Sequence, residues 1–152
     1  MKINMKKNLF IVFFICLSLS VSTQGFADQE RGKIIVEVDN FEHDQGFAFV
    51  SLCKPGDIFP PAEKQKPFAR KIVKIENKKA IIIFEDIPFG TYAVGVFHDK
   101  NNNRRLDRNI LGMPVEFYGF SNNARGIIGP PSFQEAEFEL QKAILTIAIT
   151  VK

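Results

Sequence analysis

Residues 91–98 read Thr-Tyr-Ala-Val-Gly-Val-Phe-His, and the alternation within them decides the fold class of this chain. In an extended strand, Tyr92, Val94 and Val96 fall on one face, and the residues between them fall on the other. A period of two is the pattern of a β-strand. The same period recurs on both sides of this stretch, so the sequence predicts a β protein.

Six other segments carry the strand pattern. The run at 46–52 is apolar on both faces, which indicates a central strand. The runs at 70–76 and 79–85 are joined through Asn77-Lys78 and predict a hairpin. No segment after the first 27 residues has a convincing helical period. We therefore expect an all-β fold, a seven-stranded antiparallel β-sandwich, with its other strands at 33–39, 133–140 and 145–151.

The first 27 residues predict a cleaved signal peptide. Three lysines precede an apolar run at 9–21, and Gly25-Phe26-Ala27 supplies small residues before a cut that would leave Asp28 first. The apolar run is shorter than the ~20 residues that span a bilayer. We expect a signal peptide at 1–27, one sandwich domain at 28–152, and a periplasmic or secreted protein that does not span the membrane after cleavage.

Charge content argues against a nucleic-acid-binding protein, and cysteine content excludes a protein held by an intramolecular disulfide. The chain has 20 basic and 17 acidic residues, and three of the lysines lie in the predicted signal, so residues 28–152 are formally neutral. A neutral domain gives no argument for nucleic-acid binding. Cys53 is the one cysteine after residue 27, so an intramolecular disulfide is impossible and a buried thiol is expected.

The middle third of the chain resembles a known family. Its motifs are His98-Asp99-x-Asn101-x-Asn103-x-x-Leu106-Asp107, Tyr-Gly-Phe-Ser-Asn-Asn-Ala at 118–124 and Gly-Pro-Pro-Ser-Phe at 129–133. They resemble the family called domain of unknown function 2141, which implies an exported bacterial protein and assigns no activity. In addition, Ile-Pro-Phe-Gly-Thr-Tyr at 87–92 is similar to a turn of transthyretin-like and other immunoglobulin-like sandwiches, which implies that fold.

The 99–109 loop has the spacing of a calcium-binding loop. Calcium prefers hard oxygen ligands from a flexible loop, where alternate residues of a tight turn can converge on one point. An EF-hand supplies ligands from positions 1, 3, 5 and 9 and a backbone carbonyl from position 7. Counted from the first aspartate, these positions are Asp99, Asn101, Asn103 and Asp107, with the carbonyl of Arg105.

Two departures oppose this interpretation and keep an alternative open. Arg104 replaces the glycine of position 6, and Ile110 replaces the glutamate of position 12. Arg104, Arg105 and Arg108 also surround only two carboxylates, and like charge repels a cation. The alternative is a polar turn whose Asn and Asp side chains bind the nearby backbone.

The 113–133 loop is long for a connection in a sandwich and is the second candidate site. Tyr118 and Phe120 could bury the face of a sugar or a peptide while Asn122 and Asn123 orient it. The alternative is a self-packed loop whose aromatic side chains close the end of the core.

Catalytic motifs are absent from the sequence, which has two histidines, His43 and His98, and no Gly-x-Ser-x-Gly or His-Glu-x-x-His. The one thiol–imidazole pair to consider is Cys53 with His98. We expect a non-catalytic cell-envelope or secreted binding or structural module, with calcium as its candidate cofactor and an envelope component, a protein or a glycan as its partner. The alternative is a small periplasmic, hydrolase-like, metal-assisted enzyme that uses Asp99, Asp107 and His98.

Overall fold

The computed structural model describes residues 30–62 and 64–152, so the predicted signal peptide lies outside the described residues. The regular structure of the described residues is almost entirely strand: there are eight strands, one short helix and one 3₁₀ turn at Ser121–Asn123. No helix within the described ranges is long and apolar enough to cross a membrane. The strands are β1 Arg31–Asp39, β2 Phe47–Cys53, β3 Ala69–Lys74, β4 Ala80–Pro88, β5 Gly90–Asp99, β6 Tyr118–Phe120, β7 Phe138–Leu140 and β8 Ile144–Thr150, and the helix is α1 Phe133–Ala136.

The strands form two sheets, so the expected all-β class is confirmed. One sheet has the order β4-β1-β8, and the other has the order β3-β2-β5-β6 with β7 paired to β5. Alternate residues of each strand turn into the shared core, as the period of two requires. Ile34 and Val36 of β1 are fully buried in the same cluster as Val50 of β2 and Val94 of β5.

The predicted strand at 133–140 is wrong in its first half. Residues 133–136 form α1, because Ser132 and Glu135 make a reciprocal capping box. The Glu135 amide donates to Ser132 Oγ at 3.3 Å, and the Ser132 amide donates to Glu135 Oε2 at 2.7 Å. The sheet resumes at β7, and the three-residue β6 is too short to show a period. The structure therefore has eight strands where seven were expected.

The sheets are not antiparallel throughout, which corrects a second expectation. β1 and β8 pair in parallel, from Lys33 opposite Ile144 to Asp39 opposite Thr150. β7 lies on the other sheet, and the chain crosses from it to lie beside β1. A strand that arrives by such a crossover can run parallel to its neighbour, whereas a hairpin connection cannot.

The predicted hairpin between the third and fourth strands is correct in its turn and wrong in its pairing. Asn77 and Lys78 have φ values of 52° and 58°, and Glu76 and Lys79 form an isolated bridge. Beyond that bridge the strands separate, because β3 pairs with β2 in one sheet and β4 pairs with β1 in the other. The Asp44 carboxylate holds the turn by accepting from both turn amides at 3.0 and 2.7 Å.

β6 brings the two sheets into close contact at one end of the sandwich. Tyr118 and Lys152 exchange two backbone hydrogen bonds of 3.2 Å. A Cβ on Gly119 would lie 2.8 Å from Ile149 Cγ2 and 3.2 Å from the Thr150 carbonyl oxygen. Only glycine permits this approach, so residue 119 faces the other sheet. Because side chains alternate along a strand, Tyr118 and Phe120 lie on the outer face of the larger sheet.

That outer face has a small apolar cluster of its own. Ala93 of β5, Phe120 of β6 and Ala136 of α1 are buried together, with Phe59 and Phe133 packed against them. The Phe59 ring lies edge-on to Phe120 and Phe133, with centroids 5.6 and 6.0 Å away. The long connections before β3 and after β6 therefore lie over this face instead of projecting freely.

Candidate functional site

The 99–109 loop is anchored at the end of β5. Asp99 is 1% exposed, and its carboxylate accepts from the Asn103 amide at 3.0 Å and from the Arg104 amide at 2.9 Å. Gly46 of the neighbouring connection lies against this point, since a Cβ there would be 2.2 Å from the Asp99 carbonyl oxygen. The first aspartate of the motif therefore closes the turn by binding its backbone.

The other polar side chains of the loop converge on Asp107. Asn101 Nδ2 and Asn103 Nδ2 donate to the two oxygens of its carboxylate at 2.7 and 2.8 Å. Each asparagine also accepts a backbone N–H two residues ahead, from Asn103 at 3.2 Å and from Arg105 at 2.8 Å. These are the bonds of the polar-turn alternative. The same arrangement gathers at one point the side chains that the calcium interpretation requires.

Glu116 is a member of this network that sequence reasoning missed. It is 5% exposed, and its two oxygens accept from the Lys100 amide and the Asp107 amide, both at 2.9 Å. It therefore fastens the beginning and the end of the loop to each other. A signal was available, because Glu116 is the single acidic residue between positions 108 and 134.

The loop has the backbone of a calcium site but few charged ligands. Arg104, at the glycine position, has a φ of 64°, in the left-handed region that glycine adopts without strain. No three His, Cys, Asp or Glu side chains among the described residues could hold a metal ion together. A cation here would depend on two carboxylates supplemented by amide and carbonyl oxygens.

The two histidines lie next to each other beneath the loop. The His43 and His98 ring centroids are 4.8 Å apart, and His98 Nε2 bonds to the Gln45 carbonyl oxygen at 2.7 Å. Burial lowers the pKa of His98. His98 and Asp99 are both buried, so these two residues of the enzyme alternative do not open onto a cleft.

The strand register excludes a pair between Cys53 and His98. Across β2 and β5, Cys53 lies opposite Ala93 and His98 lies opposite Ala48. Five residues along a strand separate the two groups by roughly 17 Å. Cys53 is fully buried, and burial, with a smaller contribution from Asp57, raises the pKa of its thiol to about 12. The hypothesis of a thiol–imidazole pair is wrong.

A cleft of about 520 Å³ lies beside the loop on the outer face of the larger sheet. We call its aromatic side chains the aromatic floor. The Phe49 and Phe97 rings stack with centroids 4.8 Å apart, and the Tyr118 and Phe120 rings meet edge-on at 5.8 Å. The floor comprises Phe49, Phe59, Phe97, Tyr118 and Phe120.

Four arginines border this cleft, and we call them the arginine rim. The rim comprises Arg70 of β3 and Arg104, Arg105 and Arg108 of the loop. The Arg70 guanidinium lies 5.0 Å from the Phe49 ring centroid and donates to Ser51 Oγ at 3.4 Å. Arg108 donates to the Gly112 carbonyl oxygen at 2.8 Å. The loop thus turns its carboxylates and amides inward and its arginines toward the cleft.

The four residues predicted as a ligand site separate into two pairs. Tyr118 and Phe120 line the cleft, whereas Asn122 and Asn123 do not. Asn122 Nδ2 donates to the Glu137 carbonyl oxygen at 2.8 Å, and Asn123 Oδ1 accepts from the Thr150 amide at 2.8 Å. The two asparagines therefore fasten the 3₁₀ turn to the residue before β7 and to β8.

Fold and site together define a two-sheet β protein that builds a cleft from a sheet face and its connecting loops. The chain belongs to the bacterial family described as "Uncharacterized protein conserved in bacteria (DUF2141)", whose model matches residues 36–148. That match confirms the resemblance in the sequence, and it spans both the 99–109 loop and the aromatic floor. No curated protein and no solved structure matches the chain.

Proposed function

We propose that this protein is an exported, non-catalytic binding module of the cell envelope or the extracellular space, built on an immunoglobulin-like sandwich. One observation carries the proposal: the hydrogen-bonded 99–109 loop presents three arginines to an aromatic cleft beside it. Binding sites are commonly built from loops held on a rigid sheet. The chemical groups in the wall of the cleft suit recognition, since its lining residues in the described ranges 30–62 and 64–152 include no histidine, cysteine or carboxylate.

Export is supported by the order of basic, apolar and small residues in positions 1–27. Expressed in a bacterium and fractionated, the protein should be recovered outside the cytoplasm with Asp28 as its first residue. Mass analysis of the intact chain measures this directly. A chain that keeps Met1 and stays in the membrane fraction would contradict export.

We also propose that the 99–109 loop binds calcium weakly. Asn101, Asn103 and Asp107 already converge, and the φ of Arg104 matches the turn that position 6 requires. The nearby arginines oppose a cation, which suggests a dissociation constant in the ~10⁻⁴–10⁻³ M range of extracellular modules. Bound calcium would replace the amide–carboxylate bonds and keep the loop in its present conformation.

A calcium titration of thermal stability tests this part of the proposal. With a dissociation constant of ~0.5 mM, ~10 mM calcium should add about 1.8 kcal/mol to the free energy of unfolding. That corresponds to a rise of several degrees in Tm. Magnesium should do much less, because it prefers near-ideal octahedral geometry and retains its own water.

Two aspartate variants make the titration specific. Asp107→Asn should abolish the calcium shift, whereas Asp39→Asn, at an exposed position at the end of β1, should preserve it. A flat titration of the unmodified protein would leave the loop as a hydrogen-bonded turn and remove calcium from the proposed function.

A further inference from the structure

We propose that the cleft binds a small amphiphilic organic anion, with its acidic head on the arginine rim and its alkyl chain on the aromatic floor. This inference rests on the proposed binding function and names the ligand class of that site. Three features of the described residues carry it: the charge of the rim, the composition of the floor, and the apolar loops at the mouth of the cleft.

Three arginines of the rim carry positive charge that no described acidic residue pairs with. Arg70, Arg104 and Arg108 form no ion pair with any residue in the described ranges. Among the described residues, those that line the cleft include four arginines and no aspartate or glutamate. The nearby carboxylates of Asp99 and Asp107 are already occupied by loop amides. An anionic head group is therefore complementary, since guanidinium binds carboxylates and phosphates with strong, charge-assisted hydrogen bonds.

The floor selects an apolar body. Apart from the arginines, Ser51 and Tyr118 are the polar side chains among the described lining residues, and the Ser51 hydroxyl already accepts from Arg70. So few hydrogen-bonding groups suit a hydrocarbon better than a glycan, which would leave many hydroxyls unpaired. Gly95 contributes no side chain to the floor, and the Phe120 and Phe59 rings lie over it, 3.5 and 3.9 Å from where a Cβ would be. The volume of about 520 Å³ is typical of small-molecule sites.

Two loops at the mouth favour an alkyl chain over a compact aromatic acid. Arg108 and Pro114 form a bridge at the base of one loop, and both line the cleft. Gly129 and Pro130, at the base of the other loop, line it as well. The tips of these loops expose four large apolar side chains, each by at least 77%, and adjacent exposed apolar side chains of this kind often mark an interaction site. These side chains can cover the part of the ligand's alkyl chain that extends beyond the floor. They are Ile110, Leu111, Ile127 and Ile128.

Calorimetric titration with dodecanoate, kept below its micelle concentration, tests the proposal. We expect saturable binding of one molecule per protein. Dodecyltrimethylammonium has the same chain with the opposite charge, and acetate has the head without the chain, so neither should bind measurably at the same concentrations. Equal binding of the cationic and anionic amphiphiles, or no binding of dodecanoate, would overturn the proposal.

Variants of the rim assign the binding to this cleft. Arg104→Gly removes one guanidinium and relieves the positive φ, so the variant should fold normally and bind dodecanoate about tenfold more weakly, as expected for one lost charge-assisted bond. Adding Arg108→Gln should weaken binding further. Lys142→Gln, an exposed position between β7 and β8, removes one positive charge away from the cleft and should change nothing. Unchanged affinity in the double variant would contradict the assignment.

A variant of the floor tests the second half of the site. Gly95→Leu adds a side chain that would have to displace the Phe120 and Phe59 rings of the floor, so it should abolish dodecanoate binding without changing the calcium titration. If Gly95→Leu does not fold, Gly95→Ala tests the floor assignment in its place. Its Cβ would make ordinary contacts of 3.5 Å with Phe120 and 3.9 Å with Phe59. Gly95→Ala should reduce affinity severalfold, and unchanged affinity would overturn the floor assignment. If dodecanoate does not bind but calcium still raises the Tm, the proposed cleft ligand is wrong and the proposed calcium site is unaffected.

Discussion

His98 is a fully buried imidazole at the end of β5, and its burial has a consequence for pH stability. Desolvation lowers its pKa from 6.5, with His43 and Lys100 acting in the same direction and the Gln45 carbonyl and Glu116 opposing. Below pH ~6.5 the unfolded chain therefore binds a proton that the folded protein resists. The contribution of His98 to stability is complete above that pH and is lost as the pH falls toward the lowered value.

We therefore expect the free energy of unfolding to decrease from pH 7.5 to pH 5.5, by at most about 1.4 kcal/mol per pH unit for this one group. Urea unfolding at a series of pH values measures it. His43→Gln should retain the decrease, because the burial of His98 is its main cause. A stability that does not change over this range would contradict the assignment.

At the scale of single residues, the polar turn was more predictable from sequence than the cleft. Asn and Asp residues bind backbone groups only a few positions away, so their spacing already indicates a turn. The cleft depends on residues far apart in sequence, such as Phe49, Arg70 and Tyr118, which only the sheet order brings together. Periodicity places Phe49 on an apolar face but does not show that the face carries a cleft.

Among the elements, β6 imposes a strict steric requirement. Gly119→Ala would place a methyl group 2.8 Å from Ile149 Cγ2, at the contact between the two sheets. Since overpacking costs typically 1–3 kcal/mol, we expect a loss of that size in the free energy of unfolding. Denaturant unfolding of Gly119→Ala measures it.

The matched control is Gly95→Ala on β5, where the added methyl group meets only ordinary contacts. That variant should change the free energy of unfolding by less than about 1 kcal/mol. Alanine lowers the conformational entropy of the unfolded chain, and this gain offsets small changes in packing. Equal losses in both variants would show that the approach of β6 to β8 is not the limiting contact.

Long elements were predictable for a physical reason that does not extend to short ones. β1, β2, β4, β5 and β8 each have at least seven residues, enough to show the period of two. β6 and β7 have three residues each, and α1 is set by a capping box and not by a period. Pairing was not predictable either, because a strand's pattern shows which face is buried but not which neighbour it has.

In the molecule as a whole, the smaller sheet depends on its last strand. β1 lies between β4 and β8, and Ile149 and Val151 are buried in the shared core. We expect a chain that ends at residue 143 to remain unfolded, because it would lose this core surface and a whole ladder of hydrogen bonds. Circular dichroism and limited proteolysis measure the effect, and Ile149→Val, which should cost only 0.5–1.5 kcal/mol, is the control. A truncated chain that melts cooperatively would contradict the expectation.

The parallel pairing of β1 with β8 also determines when the molecule can fold. Lys33 and Ile144 are partners in the ladder, so almost the whole chain must be available before that ladder can form. Synthesis proceeds from the N-terminus, and β1 therefore lacks one neighbour until β8 has been synthesised. Long-range strand pairing of this kind is intrinsically slow. The export that we propose would benefit from such a delay, because the native state cannot form until β8 has also crossed the membrane.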